Sequence, residues 1–293
     1  MPILSVRHVT TYRYRQAVRL GEHRILCRPR DSQDQRLLDF GLRITPEPSS
    51  LHWRQDVFGN QLAVAQFDLR SRELVFESTL RLDHRPPGPP DRWIEEQARL
   101  YPFSYDAEEM PDLARCMERH YRDPERAVDR WARRFLHEDR PTGTVGLLAA
   151  MAEHVRASFT YLRRDERGVQ EPAETLRLGS GTCRDFAVLM MEAVRSLGLA
   201  ARFVTGYLHS RRAASHQGGG ATHAWMQVYL PGAGWVEYDP TNGITDGRDL
   251  LRVAVAREPR QAVPLSGSYT GFPADSLGMT VEVEVGAEAD PPA

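Results

Sequence analysis

The sequence predicts an α+β fold with an all-β, sandwich-like domain over residues 1–85, then a second domain over residues 91–293 in which helices pack on an antiparallel sheet. Its 293 residues suit about two domains at roughly 150 residues each. The first part shows the two-residue period of strands, and the second begins with a helical period. A proline-rich stretch at 85–90 separates the two patterns.

Short β-segments account for the first 85 residues. Leu4–Arg7, Thr11–Tyr14 and Ile25–Arg28 carry β-branched or aromatic residues, and Leu42–Thr45 alternates cleanly. The pair Gly59–Asn60 predicts a turn, because both residue types tolerate a positive φ. Six or seven such segments without a strong helical pattern predict an all-β sandwich.

The run Arg85–Pro90 (R-P-P-G-P-P) marks the linker between the two parts. Proline fixes φ and removes a backbone donor, so neither helix nor sheet continues through it. Beyond the linker, apolar residues recur with a helical period, and in one segment Val128, Trp131 and Phe135 share a face. The predicted helices cover residues 91–100, 111–120, 124–137 and 144–159.

The next predicted elements are a helix and a group of strands. Cys183–Leu197 carries an amphipathic stripe and is followed by Gly198, a residue type suited to helix ends. Strands are predicted at 201–208, 222–230 and 234–239. The short turn Pro231–Gly234 joins the last two strands and predicts an antiparallel hairpin. The glycine run Gly218–Gly220 is expected to be a mobile loop, since no lysine or following helix supports a phosphate cradle.

Composition and charge exclude several classes of function. A net charge of −2 and a pI near 6.6 provide no global positive charge for nucleic acid or an anionic membrane. All 38 basic residues are arginine, which excludes a catalytic lysine. Three cysteines without a C-x-x-C pair exclude a disulfide framework and a zinc ribbon. With no secretory signal and no apolar run near the ~18 residues of a membrane span, a cytoplasmic protein is expected.

Cys183 is the strongest candidate for chemistry. The turn Gly179–Thr182 delivers it to the start of the amphipathic helix, where free N–H groups and the helix dipole favour a thiolate. The same N–H groups can face the oxyanion that forms when a carbonyl is attacked. The alternative is a buried cysteine that packs as a small hydrophobic residue, which is how we interpret Cys27 and Cys116. Asp185 is expected to lie on the surface of the first turn.

His223 and Asp239 can supply a base and its orienting group. They lie 16 positions apart across the predicted hairpin, and an even separation is compatible with side chains on one face. On its strand, His223 shares a face with Trp225 and Gln227. The pair alone also fits a structural histidine bonded to an aspartate. A cysteine nucleophile needs such a base and acceptor, so together with Cys183 the set matches the general Cys–His–acid arrangement.

Three ordered motifs resemble the bacterial transglutaminase-like superfamily, a papain-like group. They are G-T-C-R-D-F-A at 181–187, T-H-A-W at 222–225 and D-P-T-N at 239–242, within a match that covers about residues 140–245. The segments Thr11–Tyr14 and Gly21–Ile25 are similar to the N-terminal region often attached to this family. The resemblance implies that the second domain has a papain-like, transglutaminase-like fold.

The resemblance also implies roles for the candidate residues. Cys183 is then the nucleophile, His223 the base and later the acid, and Asp239 the group that orients the imidazole, with no cofactor and no metal. The expected substrate is a peptide, protein or other amide, attacked at its carbonyl to leave a thioester acyl-enzyme. If water resolves the thioester, the protein is a peptidase or amidase. If an amine acceptor resolves it, the protein is a transglutaminase or another acyltransferase.

Two other functions remain open at this point. One is a catalytically idle binding or scaffold module, in which the β-domain recognises a partner. The other is an arylamine-type N-acetyltransferase, which uses a similar Cys–His–Asp set with acetyl-CoA, although only scattered arginines could anchor the CoA phosphates. A metal site at His209, His216 and His223 is disfavoured, because their seven-residue spacing spans a strand, a loop and another strand and lacks the close ligand pairs of zinc sites.

Overall fold

The computed structural model describes residues 3–86, 88–164, 168–209 and 221–288. The predicted loop Gly218–Gly220 and the candidate ligand His216 lie outside these residues. An N-terminal antiparallel sheet, a group of helices and a second antiparallel sheet follow one another along the chain, which confirms the predicted α+β fold. Within the described ranges, no helix combines the length and the apolar character needed to cross a membrane.

The first sheet is organised around one long strand. Its N-terminal strands are β1 (Ile3–Arg28), β2 (Gln35–Thr45), β3 (Ser50–Gln55), β4 (Gln61–Gln66) and β5 (Arg70–His84), paired in the order β2-β5-β1-β4-β3. The segments predicted as separate short strands at 4–7, 11–14 and 25–28 are all parts of β1. The pairing of β1 with β5 shifts in register between Arg13 and Val18, and from His23 onward β4 is its neighbour.

This change of neighbour lets the sheet curl over its own apolar face. Phe40 and Phe76 from one half belong to the same hydrophobic cluster as Ile25 and Trp53 from the other half. The rings of Phe40 and Trp53 meet edge to face with centroids 5.5 Å apart, an arrangement favoured by aromatic quadrupoles. Two halves of one curled sheet therefore enclose a sandwich-like core.

The middle of the chain is mainly helical. Its elements are β6 (Leu100–Tyr101), α1 (Met110–Met117), α2 (Ala127–Arg133), β7 (Thr142–Gly143), α3 (Thr144–Ser158), β8 (Thr160–Tyr161), α4 (Pro172–Leu178), β9 (Ser180–Gly181) and α5 (Cys183–Ser196). Helices α3 and α5 begin where the apolar periodicity predicts, and α1 and α2 are shorter than predicted. Helix α4 was not predicted, because its seven residues are too few to show a clear period.

The prediction of a helix over residues 91–100 is wrong. Two short 3-10 turns stand in its place, at Pro90–Arg92 and Glu96–Ala98. The Glu95 N–H donates to the Pro231 carbonyl at 2.9 Å. The Thr144 hydroxyl donates to the carbonyl of residue 98 at 2.6 Å, and the Thr144 N–H donates to the carbonyl of residue 99 at 2.9 Å. These groups would have formed the helical ladder, so tertiary partners have replaced local ones.

The second sheet supports the central helix. It contains β10 (Ala201–Leu208), β11 (His223–Leu230), β12 (Gly234–Tyr238) and β13 (Leu250–Ala256), in the antiparallel order β12-β11-β10-β13. Strands β11 and β12 form the predicted hairpin. Phe186 and Met190 on α5 are buried in one cluster with Phe203 and Met226 on the sheet. This packing brings the beginning of α5 next to the beginning of β11.

The last strands return to the first sheet. Both β14 (Leu265–Thr270) and β15 (Ser276–Ala287) pair with β1 in antiparallel fashion. The sequence places all of residues 91–293 in the second domain, and within that range residues 265–270 and 276–287 pair with a strand of the first sheet. A strand as long as β1 offers unpaired backbone groups along its edges, and local patterns do not reveal which distant segment will cover them.

Candidate active site

Cys183 is the first residue of α5, as the sequence predicts. The backbone N–H and the hydroxyl of Thr182 donate to Asp185 Oδ2 at 2.8 and 2.9 Å, an arrangement of the capping-box type that defines the helix start. Gly181 has no room for a side chain, because a Cβ there would lie 2.9 Å from the Cβ of Asp185. The tight turn and the cap together fix the position of the thiol relative to the helix axis.

Asp185 is fully buried, which corrects the expectation of a surface residue. Arg164 donates to both carboxylate oxygens, Nη2 to Oδ1 at 3.0 Å and Nε to Oδ2 at 3.1 Å. The Gln170 N–H adds a hydrogen bond to Oδ1 at 2.7 Å. A charged partner and several donors offset the cost of burying this carboxylate. Asp185 thus connects the segment that precedes α4 to the start of the helix that carries Cys183.

His223 and Asp239 lie on the same face of the hairpin, as predicted. His223 begins β11 and Asp239 directly follows β12. The hairpin pairs Gln227 with Glu237, and continuing that register places Asp239 diagonally across from His223, within reach of its ring. His223 Nε2 donates to Asp239 Oδ2 at 2.8 Å, and both side chains are completely buried.

Asn242 and Thr241 hold the aspartate in place. Asn242 Nδ2 donates to Asp239 Oδ2 at 2.8 Å, and the Thr241 N–H donates to Oδ1 at 2.9 Å. The Asp239 carbonyl accepts the Gly243 N–H at 2.8 Å, which closes the D-P-T-N segment into a turn. No role was predicted for Asn242, although the D-P-T-N motif at 239–242 includes it and was the available signal.

The histidine and the aspartate form an ion pair in the protein interior. Burial opposes a charged imidazole, but the neighbouring Asp239 carboxylate more than offsets it and raises the pKa of His223 to about 10. Burial also opposes the carboxylate, and the His223 imidazolium, Asn242 and the Thr241 N–H lower the pKa of Asp239 below its ordinary value. The net direction in both cases favours the charged forms.

The thiol of Cys183 faces this pair. Burial alone would raise its pKa, but His223 and the Ala224 backbone N–H outweigh burial and lower it below 9.0. Asp239 occupies Nε2 of the ring, so Nδ1 is the nitrogen that can face the sulfur. Nδ1 is buried and has no other hydrogen-bond partner among the described residues. A thiolate–imidazolium pair is therefore the arrangement that these electrostatics favour.

Tyr161 is a further polar side chain beside the sulfur. Strand β8 pairs with β9 in parallel, with Tyr161 opposite Gly181, two residues before Cys183. The pKa of Tyr161 is raised to about 12 by burial and by its interaction with the Cys183 thiol. No sequence pattern singled out Tyr161, because its position depends on the pairing of segments about twenty residues apart.

The other two cysteines differ from Cys183. All three are free thiols. Burial raises the pKa of Cys27 to about 12 and also raises that of Cys116, so both favour the neutral thiol. This agrees with the interpretation of Cys27 and Cys116 as packing residues. Among the residues that the structure describes, no cluster of His, Cys, Asp and Glu could hold a metal ion.

Comparisons with known proteins cover both parts of the chain. Residues 4–83 match the model of the bacterial transglutaminase-like N-terminal region, and residues 129–240 match that of the transglutaminase-like superfamily. An uncharacterised protein of Mycobacterium tuberculosis is 30% identical over 296 residues, which cover 95% of this chain and 91% of that protein. One from Mycobacterium leprae is 27% identical over 287 residues, covering 96% and 98%.

A solved structure has a similar fold. It is a protein from Cytophaga hutchinsonii, named as a candidate cysteine protease, with a TM-score of 0.73 and 18% sequence identity. The match covers 100% of this chain and 93% of that one. The similarity of fold therefore includes the curled first sheet as well as the part that carries Cys183, His223 and Asp239.

Proposed function

This chain belongs to the transglutaminase-like superfamily, and from that premise we propose that it is an enzyme that cleaves or transfers acyl groups through a thioester on Cys183. One observation carries the proposal. Cys183, at a helix start, is the cysteine whose thiol pKa is lowered, and the imidazole that lowers it is paired with a buried aspartate. The substrate class proposed is an amide, in a peptide, protein or smaller molecule.

In the first step, the Cys183 thiolate forms a bond to the carbonyl carbon and the carbonyl electron pair moves to oxygen. We assign the resulting oxyanion to the Cys183 backbone N–H, at the start of its helix, and to the Tyr161 hydroxyl, which interacts with the Cys183 thiol. The His223 imidazolium then gives its Nδ1 proton to the leaving nitrogen. The C–N bond breaks, an amine departs and the acyl group stays on the sulfur.

In the second step, neutral His223 takes a proton from the incoming nucleophile, which attacks the thioester carbonyl. The C–S bond breaks and the thiolate returns, while Asp239 stabilises the imidazolium that forms again. Water as the nucleophile gives hydrolysis, and an amine gives a new amide. Both reactions use the same acyl-enzyme, so the acceptor site and the exclusion of water decide between them.

Labelling and turnover test this function together. Iodoacetamide near neutral pH is expected to label Cys183 first, with Cys27 and Cys116 reacting slowly, as read by mass spectrometry. A peptide library incubated with and without added amines would then reveal hydrolysis or transfer. Cys183→Ser should abolish turnover and the fast label, whereas Cys116→Ser, which removes a free thiol elsewhere, should change neither.

Equally slow labelling of all three cysteines would contradict the proposal and favour the catalytically idle binding module instead. Turnover that survives in Cys183→Ser would contradict the assignment of the nucleophile. A product that contains the added amine would identify an acyltransferase, and free acid alone would identify a peptidase or amidase.

We further propose that the enzyme works in the bacterial cytoplasm. The support is that all three cysteines are free thiols, a state typical of reducing compartments. Fractionation of cells that express the full chain, followed by immunodetection, would test this. Recovery of the protein outside the cytoplasm would overturn it.

A further inference from the structure

Trp225 packs against His223 and is hydrogen-bonded to Glu237 through its indole N–H. Its indole stacks on the His223 ring with centroids 5.9 Å apart and an interplanar angle of 26°. The indole is completely buried, and its Nε1–H donates to Glu237 Oε2. Trp225 therefore has one face toward the imidazole and its polar edge tied to a carboxylate.

The indole packs tightly against Gly206 of the neighbouring strand. Gly206 lies opposite His223 in the sheet, and a Cβ there would come 2.7 Å from the Trp225 Cη2 atom and 2.0 Å from the Leu251 carbonyl oxygen. The absence of a side chain at residue 206 is what admits the ring. A close-packed ring of this kind transmits its own position to what it touches.

Glu237 is the centre of a buried polar group. Besides the bond from the indole, Glu237 accepts hydrogen bonds on Oε1 from Gln227 Nε2 at 2.7 Å and from Arg252 Nη1 at 2.5 Å. The Gln227 side-chain oxygen in turn accepts a hydrogen bond from Arg202 Nε at 2.6 Å. Each carboxylate oxygen is thus used, and the side chain is nearly inaccessible to solvent.

Arg252 extends this group to the N-terminal sheet. Its Nη2 donates to Asp34 Oδ1 at 3.0 Å and to Ser32 Oγ at 3.0 Å. The Gln35 side chain bridges the Arg252 backbone, donating to its carbonyl at 2.7 Å and accepting its N–H at 3.0 Å. Contacts therefore run without a break from Asp34 through Arg252, Glu237 and Trp225 to His223.

We propose that Glu237 is a positioning residue: through Trp225 it fixes the plane of the His223 ring, and through Arg252 and Asp34 it makes that position depend on the N-terminal sheet. Buried ionic groups seldom increase stability beyond what an apolar core would provide. In some proteins such groups instead hold a single geometry, and in this proposal the geometry held is that of the ring that faces Cys183. The N-terminal sheet then serves as part of the scaffold of the candidate site.

The physical effect of the contact is directional. Asp239 holds the ring at Nε2 only, so rotation about that hydrogen bond would swing Nδ1 away from the sulfur. The indole face blocks that rotation, and an aromatic face also stabilises an adjacent cation such as an imidazolium. Loss of the Glu237 anchor should therefore weaken the thiolate–imidazolium pair without removing any member of it.

The test is the pH profile of Cys183 alkylation by iodoacetamide, combined with 15N NMR of His223 in the full chain. In Glu237→Ala, the apparent thiol pKa is expected to rise by about one unit, with alkylation near pH 6 about tenfold slower. Glu237→Gln keeps an acceptor for the indole and should restore most of the wild-type profile. Trp225→Phe keeps a stacking ring without its N–H and should resemble Glu237→Ala.

Asn60→Ala is the matched control. Asn60 also joins the N-terminal sheet to β13, through hydrogen bonds of 2.6 and 2.9 Å to the backbone of Val255, but it does not contact Glu237. It should lower thermal stability while leaving the alkylation profile and the His223 resonances unchanged. Asp34→Asn, a mild change at the far end, should shift the profile in the same direction as Glu237→Ala by a smaller amount.

The inference rests on the proposed function only for its consequence on turnover, and the outcomes separate the two. A wild-type Cys183 without enhanced reactivity would overturn the proposed function. Unchanged His223 resonances in folded Glu237→Ala or Trp225→Phe would overturn the positioning role, whatever the thiol does. Equal shifts in Asn60→Ala and Glu237→Ala would also overturn it, because a general loss of stability would then explain both.

Discussion

Replacement of Asp239 by asparagine should disable the thiol without removing it. Asp239 accepts hydrogen bonds from His223, Asn242 and the Thr241 N–H at 2.8, 2.8 and 2.9 Å. An asparagine amide would turn an N–H₂ group toward one of these donors. Breaking a buried ion pair of this kind costs about 3–5 kcal/mol, and the rise of the His223 pKa, to which Asp239 makes the largest raising contribution, has the same direction.

The consequence for Cys183 follows from its ionisation. Without a charged imidazole, the thiol should return to a pKa of 9.0 or above, so that about 1% is thiolate at pH 7. Alkylation by iodoacetamide at pH 7 is therefore expected to fall, and by about 100-fold if the wild-type thiol is fully ionised at that pH. The measurement is the second-order rate constant from pH 5 to 10, with Cys27 and Cys116 replaced by alanine in both proteins so that a single thiol is observed.

A buried acid elsewhere provides the control. Asp275 accepts Gln16 Nε2 at 2.9 Å and the Phe272 N–H at 2.8 Å, so Asp275→Asn disturbs a comparable carboxylate away from the candidate site. It should leave the alkylation rate unchanged. An Asp239→Asn rate within threefold of wild type across the pH range would refute the ion-pair reasoning.

The same substitution has a signed effect on stability. The folded-state pKa of His223 lies above its ordinary 6.5, so its contribution is complete below about pH 6.5 and lost as the pH rises through about 10. The folded-state pKa of Asp239 is lowered from 3.8, so its contribution is lost as the pH falls through that lowered value. The Tm difference between wild type and Asp239→Asn should thus be largest near pH 5–6, and a difference that grows above pH 9 would contradict this assignment.

Three further outcomes are expected. Asn242→Ala removes a hydrogen bond to a charged oxygen and should lower kcat about tenfold with little change in KM; an unchanged kcat would remove Asn242 from the site. Tyr161→Phe should lower kcat about 100-fold while leaving Cys183 alkylation within a few-fold of wild type, and equal losses in both would argue against an oxyanion role. Asp185→Ala removes the buried carboxylate to which Arg164 and the Gln170 N–H donate and should lower the free energy of unfolding by roughly 3 kcal/mol in urea titrations, whereas Glu174→Ala, at an exposed ion pair, should leave the unfolding midpoint nearly unchanged.

Much of the site could be predicted because its signals are local. A glycine turn followed by an amphipathic stripe places Cys183 at a helix start, since both features lie within one short segment. His223 and Asp239 fall on one hairpin face because a short turn sets the register and strand alternation sets the side. The family motifs then joined these two local predictions, which lie forty residues apart in the chain.

Other features could not be predicted, because their partners are distant in sequence. The apolar pattern of residues 91–100 suggested a helix, but Thr144 and Pro231 take the backbone groups that the helix would use. Asp185 was predicted to lie on the surface of the first turn, but it is buried and hydrogen-bonded to Arg164. Strands β14 and β15 carry no motif that ties them to β1.

The fold class, the helix that presents the thiol and the hairpin that presents the imidazole and the carboxylate could all be predicted from the sequence. These depend on periodicity and turn chemistry, which act over a few residues. Long-range packing, in contrast, places residues 276–287 beside β1, brings Tyr161 to the sulfur and forms the buried series of contacts from Asp34 to His223. Such contacts depend on which surfaces meet after long loops close, and no local preference specifies that choice.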